Sequence, residues 1–400
     1  MLMKRILFLT ICLLISLIAF AQEAVPEKVE LLCGPYIQNP TTTGFTVIWE
    51  SNMDAVGWVE LAPDDGTHFY NADRPKYYDL RGFGNQVMGT IHQVRVDGLE
   101  PGTTYRYRIM MKGVKSFKGY GTVEYTQPWG SGVYKKEPYR FTTLKKDYDK
   151  VRFDVYNDIH QKDSILNKLM EGAKWKELDF VVFNGDMVSS LSEKEKIREM
   201  YLRTAATHLE GRVPLYSLRG NHEFRGKETK AWFEYVDMPE GKPYYTASYG
   251  KFFFIFLDTG EDKPDNDIEY GGSMFSEPYL HEEARWLEEV VKSDACKKAA
   301  VRIVFAHIPP EKDGWQGNKN VDQLFVPILN KANVDLMISG HLHQWRVDAP
   351  QTVSSAKFPV VVNPNCARME ASVSKSSVVI NSFNPDGESK YRFVLNYRAK

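Results

Sequence analysis

Near residue 150 the hydrophobic rhythm of the chain changes, and that change limits what it can fold into. From "VRFDVYN" onward, strand-like apolar runs alternate with amphipathic stretches: "LDFVVFN" precedes "SEKEKIREMYLRTAATHL", "FFFIFLD" precedes "HEEARWLEEVV", and "AVRIVFA" precedes "VDQLFVPILNK" and "VDLMIS". This alternation predicts an α/β domain, residues 150–400, in which helices cover buried sheets. Toward the end, "NPDGES" between "SSVVINSF" and "YRFVLNY" predicts a hairpin turn. Residues 27 to about 145 carry no helical period. Their short runs "TGFTVIWES", "VGWVEL", "TIHQVRVDGL", "TTYRYRIMM" and "PYRFTTL", separated by Gly, Pro and Asp, predict an all-β sandwich. Trp49 has the setting of a core residue there. Leu99 and Pro101 ahead of Tyr105 and Tyr107 spell a corner tyrosine at the start of a late strand.

Four hundred residues exceed one ordinary core, which agrees with two domains. With 43% hydrophobic and 26% charged residues, the chain is neither wholly disordered nor a multi-span membrane protein. A formal charge of −1, with no basic tract interleaved with aromatics, carries no nucleic-acid-binding signature. The first 21 residues stand apart: Lys4 and Arg5, the apolar run "ILFLTICLLISLIAF", then the small-residue pattern Ala19-Phe20-Ala21. They read as a signal peptide, predicting a secreted or periplasmic protein that meets the membrane only if the leader stays uncleaved. Beyond the leader, Cys33, Cys296 and Cys366 are odd in number and far apart, so neither a disulfide framework nor a CxxC zinc site is present. Any metal must therefore be held by His, Asp and Asn.

Such residues do cluster where open α/β sheets place ligands, at the C-terminal ends of strands. "NDIHQ" supplies Asp158 and His160, "NGDMV" supplies Asp186, and "RGNHEF" supplies Asn221 and His222. "VRIVFAHIPP" ends on His307, and "SGHLHQW" carries His341 and His343 two apart, hence on one side of an extended or turning segment. The remaining histidines, His68, His92, His208 and His281, fall in the sandwich or on helix-like surfaces and read as structural. Singly, each motif is an ordinary turn or cap. Five strand ends carrying metal-type ligands together are not.

In its order, D-x-H, G-D, G-N-H-E, H, G-H-x-H, the constellation resembles the calcineurin-like metallophosphoesterase superfamily over about 150–400. A fibronectin type III-like domain in front resembles the purple acid phosphatases and their bacterial relatives. The resemblance implies a four-layer α/β/β/α sandwich and a pair of metal ions, Mn, Fe or Zn, that activate water and shield the phosphate. It implies that Asp158, His160 and His343 bind one ion and that Asn221, His307 and His341 bind the other. Asp186 bridges both. His222 faces the phosphate and protonates the leaving group, with Glu223 orienting it. Two positions depart from the purple enzymes: Ser189 stands where they carry the iron-binding tyrosine, and His160 where they carry glycine. Both argue against a ferric–phenolate centre.

Arg225, Trp315 and the insert "GEDKPDNDIEYGGSMFSEPY" are candidate substrate contacts. The first functional reading is a secreted phosphoesterase acting on phosphorylated small-molecule or surface substrates, phosphomonoesters slightly favoured. The alternatives are a periplasmic nucleotidase or phosphodiesterase, and a non-catalytic binding protein on the same fold.

Overall fold

The computed structural model describes residues 25–397, so the expected leader at 1–21 lies outside the described residues. The N-terminal region is all-β, and its organiser is one bent strand. Where the sequence reads as two runs, β2 (Phe45–Pro63) continues through both, with a register break between Glu50 and Ala55. Its first half pairs with β1 (Leu31–Gln38) and β4 (Gly89–Val96). Its second half pairs with β3 (Lys76–Tyr78) and β5 (Thr104–Lys118), and β5 in turn carries β6 (Thr122–Tyr125), β7 (Trp129–Gly130) and β8 (Tyr139–Thr142). An irregular register lets a strand bend from one sheet into the other, so polar "SNMD" is a corner rather than a loop. Trp49 is fully buried between the halves, stacked on His92 at 5.0 Å. The Tyr105 hydroxyl accepts the Glu100 N–H at 3.0 Å, the expected corner contact.

The α/β region holds two six-stranded sheets face to face. One runs β11 (Leu215–Leu218), β10 (Phe180–Asn184), β9 (Lys150–Asn157), β18 (Ala367–Ser374), β19 (Ser377–Phe383), β20 (Ser389–Asn396). The other runs β12 (Tyr245–Tyr249), β13 (Phe252–Leu257), β14 (Val301–Ala306), β15 (Leu336–Ser339), β17 (Val360–Val362), β16 (Arg346–Asp348). β9, β10 and β11 are parallel, as are β13, β14, β15 and β17, which aligns the ends of these strands. Alternation sorts the faces. Phe153, Phe180, Phe254, Phe256 and Phe305 point between the sheets, with Phe153 stacked on Phe180 at 4.7 Å. Tyr156, Val181 and Phe183 point outward against the helices Asp163–Glu171 and Arg203–Leu209. On the far side, Ile255, Val304 and Met337 meet Leu280 and Leu287 of the helix Ser276–Lys292. Helices, sheet, sheet and helices thus form the four expected layers. The run "TKAWFEYV", helix-like in sequence, makes only a short 3₁₀ segment at Thr229–Glu234.

The β region docks on the helical layer over β9–β11, and Cys33, Tyr36, Ile48 and Ile91 join its hydrophobic cluster. Tyr36 donates to the Tyr235 carbonyl and Tyr107 to the Gly211 carbonyl, both at 2.7 Å. Glu50 and Arg198 form an ion pair across this boundary at 2.5 Å, with side chains only 7% and 13% exposed. Removing Glu50 leaves Arg198 paired with Glu199 at 2.8 Å, but removing Arg198 leaves the buried Glu50 carboxylate without an ion-pair partner among the described residues. Arg198→Ala is therefore expected to lower stability by about 3–5 kcal/mol, read as a shift in the urea midpoint. A change within about 0.5 kcal/mol would show the pair to be solvated.

Candidate metal centre

The ends of β9, β10, β11, β14 and β15 converge, and the loops leaving them bring together all the ligand candidates named from the sequence. Asp158, His160, Asp186, His341 and His343 have positive φ, 49° to 70°. Such backbone costs about 1–3 kcal/mol per non-glycine residue and persists only where surrounding contacts impose it.

Those contacts are visible. The Asp158 Oδ2 accepts the His341 N–H at 2.9 Å and the Asn157 amide at 2.6 Å, which turns Oδ1 into the cleft. Asn157 is held by Asn363 at 2.7 Å, and Asn363 by Ser382 at 3.0 Å, a buried polar chain under the site. The Asp186 Oδ1 accepts the His222 N–H at 2.9 Å, turning Oδ2 inward. The motif glycines have a steric reason: a Cβ on Gly220 would overlap the Asp186 carboxylate, and one on Gly340 would lie 2.7 Å from Asp158 Oδ2.

Two sets of donors result. In one, Asp158 Oδ1 lies 3.1 Å from His343 Nε2 and 3.8 Å from His160 Nε2, and the two imidazoles are 3.1 Å apart. In the other, Asp186 Oδ2 lies 3.1 Å from His307 Nε2, and the Asn221 Oδ1 meets His341 Nδ1 at 3.0 Å. Asp186 Oδ2 is also 4.0 Å from His160 Nε2, so this one oxygen faces both sets.

The donor chemistry fits metal ions. His307 gives its Nδ1–H to the Asn184 carbonyl at 2.7 Å, leaving Nε2 as the lone-pair nitrogen. That Nε2 and Asp158 Oδ1 are fully buried with no hydrogen-bond partner, a costly arrangement unless a cation sits between them. Burial opposes a charge on His307, yet the Asp186 and Asp158 carboxylates hold its pKa up to about 10. They call for a positive charge at this spot. Burial lowers His341 to about 4 and lowers His160 as well, keeping both imidazoles neutral and ready to ligate.

His222 stands at the edge of both sets. Its Nδ1 faces the Ser189 carbonyl at 2.7 Å, which makes Nδ1 the donor and points Nε2 at Asp186 Oδ2, 3.9 Å away. Glu223 does not orient it, contrary to the sequence expectation. The buried Glu223 carboxylate accepts the N–H groups of Gly220, Asp186, Met187 and Val188 at 2.7–3.2 Å, clamping the loop after β10 to the loop after β11. Sequence reading also missed Asn157, Asn184 and Asn363. Their signal was faint: each is an asparagine at the end of an apolar run.

The donor sets open into a cavity of about 660 Å³ lined by Arg225, Asp262, Lys263, Glu311, Asp313 and Trp315, among others. Trp315 is 63% exposed and stands edge-on to His341 at 5.7 Å. Arg225 reaches the same wall but is held by Glu261 and Asp262. Of the insert, Asp262 and Lys263 line the cleft.

Known proteins agree with this architecture. The family model described as calcineurin-like phosphoesterase matches residues 151–345, and that described as purple acid phosphatase, N-terminal domain, matches residues 34–143. No curated protein sequence matches significantly. Among solved structures, a purple acid phosphatase from yellow lupin (Lupinus luteus) seeds aligns with a TM-score of 0.62 at 16% identity, over 90% of this chain and 74% of that one. A phosphoesterase from E. coli aligns over 62% of this chain and all of its own, with a TM-score of 0.32 and 9% identity. Among the described residues, no helix is long and apolar enough to cross a membrane. The chain carries a calcineurin-like phosphoesterase domain behind a purple acid phosphatase N-terminal domain, and so is a hydrolase of phosphoric ester bonds.

Proposed function

We propose that the protein is an exported, dinuclear metal-dependent phosphoesterase that favours phosphomonoesters. The observation that carries this reading is Asp186 Oδ2, one oxygen facing two donor sets with His222 Nε2 turned toward it. Asp158, His160 and His343 would hold one ion and Asn221, His307 and His341 the other. When bound, the pair supplies an activated water and neutralises the phosphoryl charge. His222 then delivers a proton from Nε2 to the departing alkoxide, its Nδ1–H fixed on the Ser189 carbonyl. Oxygen and imidazole donors suit Mn, Fe or Zn. Export rests on the leader-like residues 1–21, and the monoester preference on the likeness to a protein named a phosphatase. The exposed Trp315 favours a second reading, a nucleotidase or phosphodiesterase in which its ring stacks a base.

Protein purified without chelator should hold close to two transition-metal ions per chain and show no intense visible band, Ser189 having replaced the phenol. It should turn over aryl phosphate faster than bis-aryl phosphate or nucleotides. A single tightly held zinc would overturn the dinuclear centre, and faster bis-aryl phosphate turnover the monoester preference. A metal-replete protein inactive on the whole panel would leave a binding role.

A further inference from the structure

We infer that Asp262, together with Glu261 and Glu269, makes this cleft select against phosphoesters bearing a second phosphate, by occupying the cations that would otherwise receive it. The inference rests on the phosphoesterase reading above and names its substrate class: monophosphates of uncharged or cationic alcohols.

Apart from the histidines, the cationic side chains among the described residues lining the cavity are Arg225 and Lys263. Neither is free. Arg225 binds Glu261 through Nε and Nη2 at 2.9 and 3.0 Å, and its Nη2 also meets Asp262 Oδ1 at 2.9 Å. Lys263 Nζ lies 3.5 Å from the same Asp262 oxygen and 2.8 Å from Glu269. Glu261 and Asp262 are 1% and 4% exposed, and Tyr270 donates to Glu261 at 2.8 Å, so the cluster is rigid. Drawing Arg225 away toward a ligand would leave two buried carboxylates short of their partner.

The metal pair and His222 serve the reacting phosphoryl group. A second phosphate, carried on the leaving alcohol, would lie farther out along the same cavity. There it meets Asp313 and the ion-paired carboxylates of Asp262, held by Arg225 and Lys263, and of Glu311, held by Arg346, rather than an uncommitted cation. A second phosphate there finds no cation without a carboxylate partner and has the Asp313 carboxylate on the same wall, and like-charge juxtaposition is penalised. The exposed Trp315 ring on this wall suits an uncharged or ammonium-bearing leaving group instead. Arg225, by motif a candidate substrate contact, becomes a latch on the wall.

The test compares propanediol monophosphate with propanediol bisphosphate, identical but for the second phosphate, on the metal-loaded enzyme. The wild type should prefer the monophosphate by at least about tenfold in kcat/KM. Asp262→Asn leaves Arg225 on Glu261 and Lys263 on Glu269 but takes one carboxylate from each cation, and should narrow that ratio by about threefold; Asp262→Asn with Glu269→Gln frees Lys263 and should narrow it by about tenfold. Glu269→Gln at the exposed rim removes the shorter of the two Lys263 contacts, leaving the 3.5 Å one to Asp262, and should narrow it by about twofold to threefold, which keeps the test decisive if the buried Asp262→Asn variants do not fold. A wild-type ratio near one, or an unchanged ratio in the folded variants, would overturn the inference. Failure to hydrolyse aryl phosphate and both propanediol esters would instead overturn the phosphoesterase reading, and this inference with it.

Discussion

Asp186→Ala is expected to strip the protein of metal and of activity together. The carboxylate has both oxygens engaged: Oδ1 holds the His222 backbone N–H at 2.9 Å, while Oδ2 faces His307 at 3.1 Å and His160 at 4.0 Å. Burial works against its charge, but His307 and the His222 contacts hold its pKa well below the usual carboxylate range. Deleting it removes a donor from both sets at once and several kcal/mol of charge stabilisation, so turnover should fall by at least about 10³-fold. Metal content should fall well below the wild-type value. The thermal midpoint, read by circular dichroism without added metal, tells loss of ions from loss of fold. Wild-type metal content in a folded Asp186→Ala protein would exclude the bridging role.

His222→Ala should behave in the opposite way on metal. Its Nδ1 is fixed on the Ser189 carbonyl, and its Nε2 stands 3.9 Å from Asp186 beside His160, while each of the two donor sets has three other side chains. Metal content should stay at the wild-type level while the rate on an alkyl phosphate falls by about 10²–10⁴-fold, the range of a positioned general acid. Nitrophenyl phosphate, whose leaving group needs little protonation, should lose much less. A parallel loss of metal would make His222 a ligand. An equal rate loss on both esters would leave it binding phosphate without donating a proton.

Sequence alone determined the things that are local. Strand–helix alternation, a period-two pattern in "VRFDVYN" and "LDFVVFN", and a hard ligand at each strand end are properties of a few consecutive residues. A parallel sheet then aligns those ends without further instruction. Asp158, His160, Asp186, Asn221, His222, His307, His341 and His343 could therefore be named before any coordinates, in an order that is itself distinctive.

Only the tertiary structure decided what holds and limits them. Asn157 fixes the Asp158 carboxylate but is itself fixed by Asn363, 206 residues away. Glu223 follows His222 in sequence, yet its carboxylate goes to the backbone around Asp186, 37 residues earlier. Arg225 sits in the motif as a free cation and emerges in the fold bound to Glu261 and Asp262, 36 and 37 residues on. "TGFTVIWES" and "VGWVEL" end as one bent strand because different partner strands claim its halves. The physical reason is common to all four. A side chain's chemical type is written at its own position, but its hydrogen-bond and charge partners are chosen among groups that only folding brings within about 3 Å.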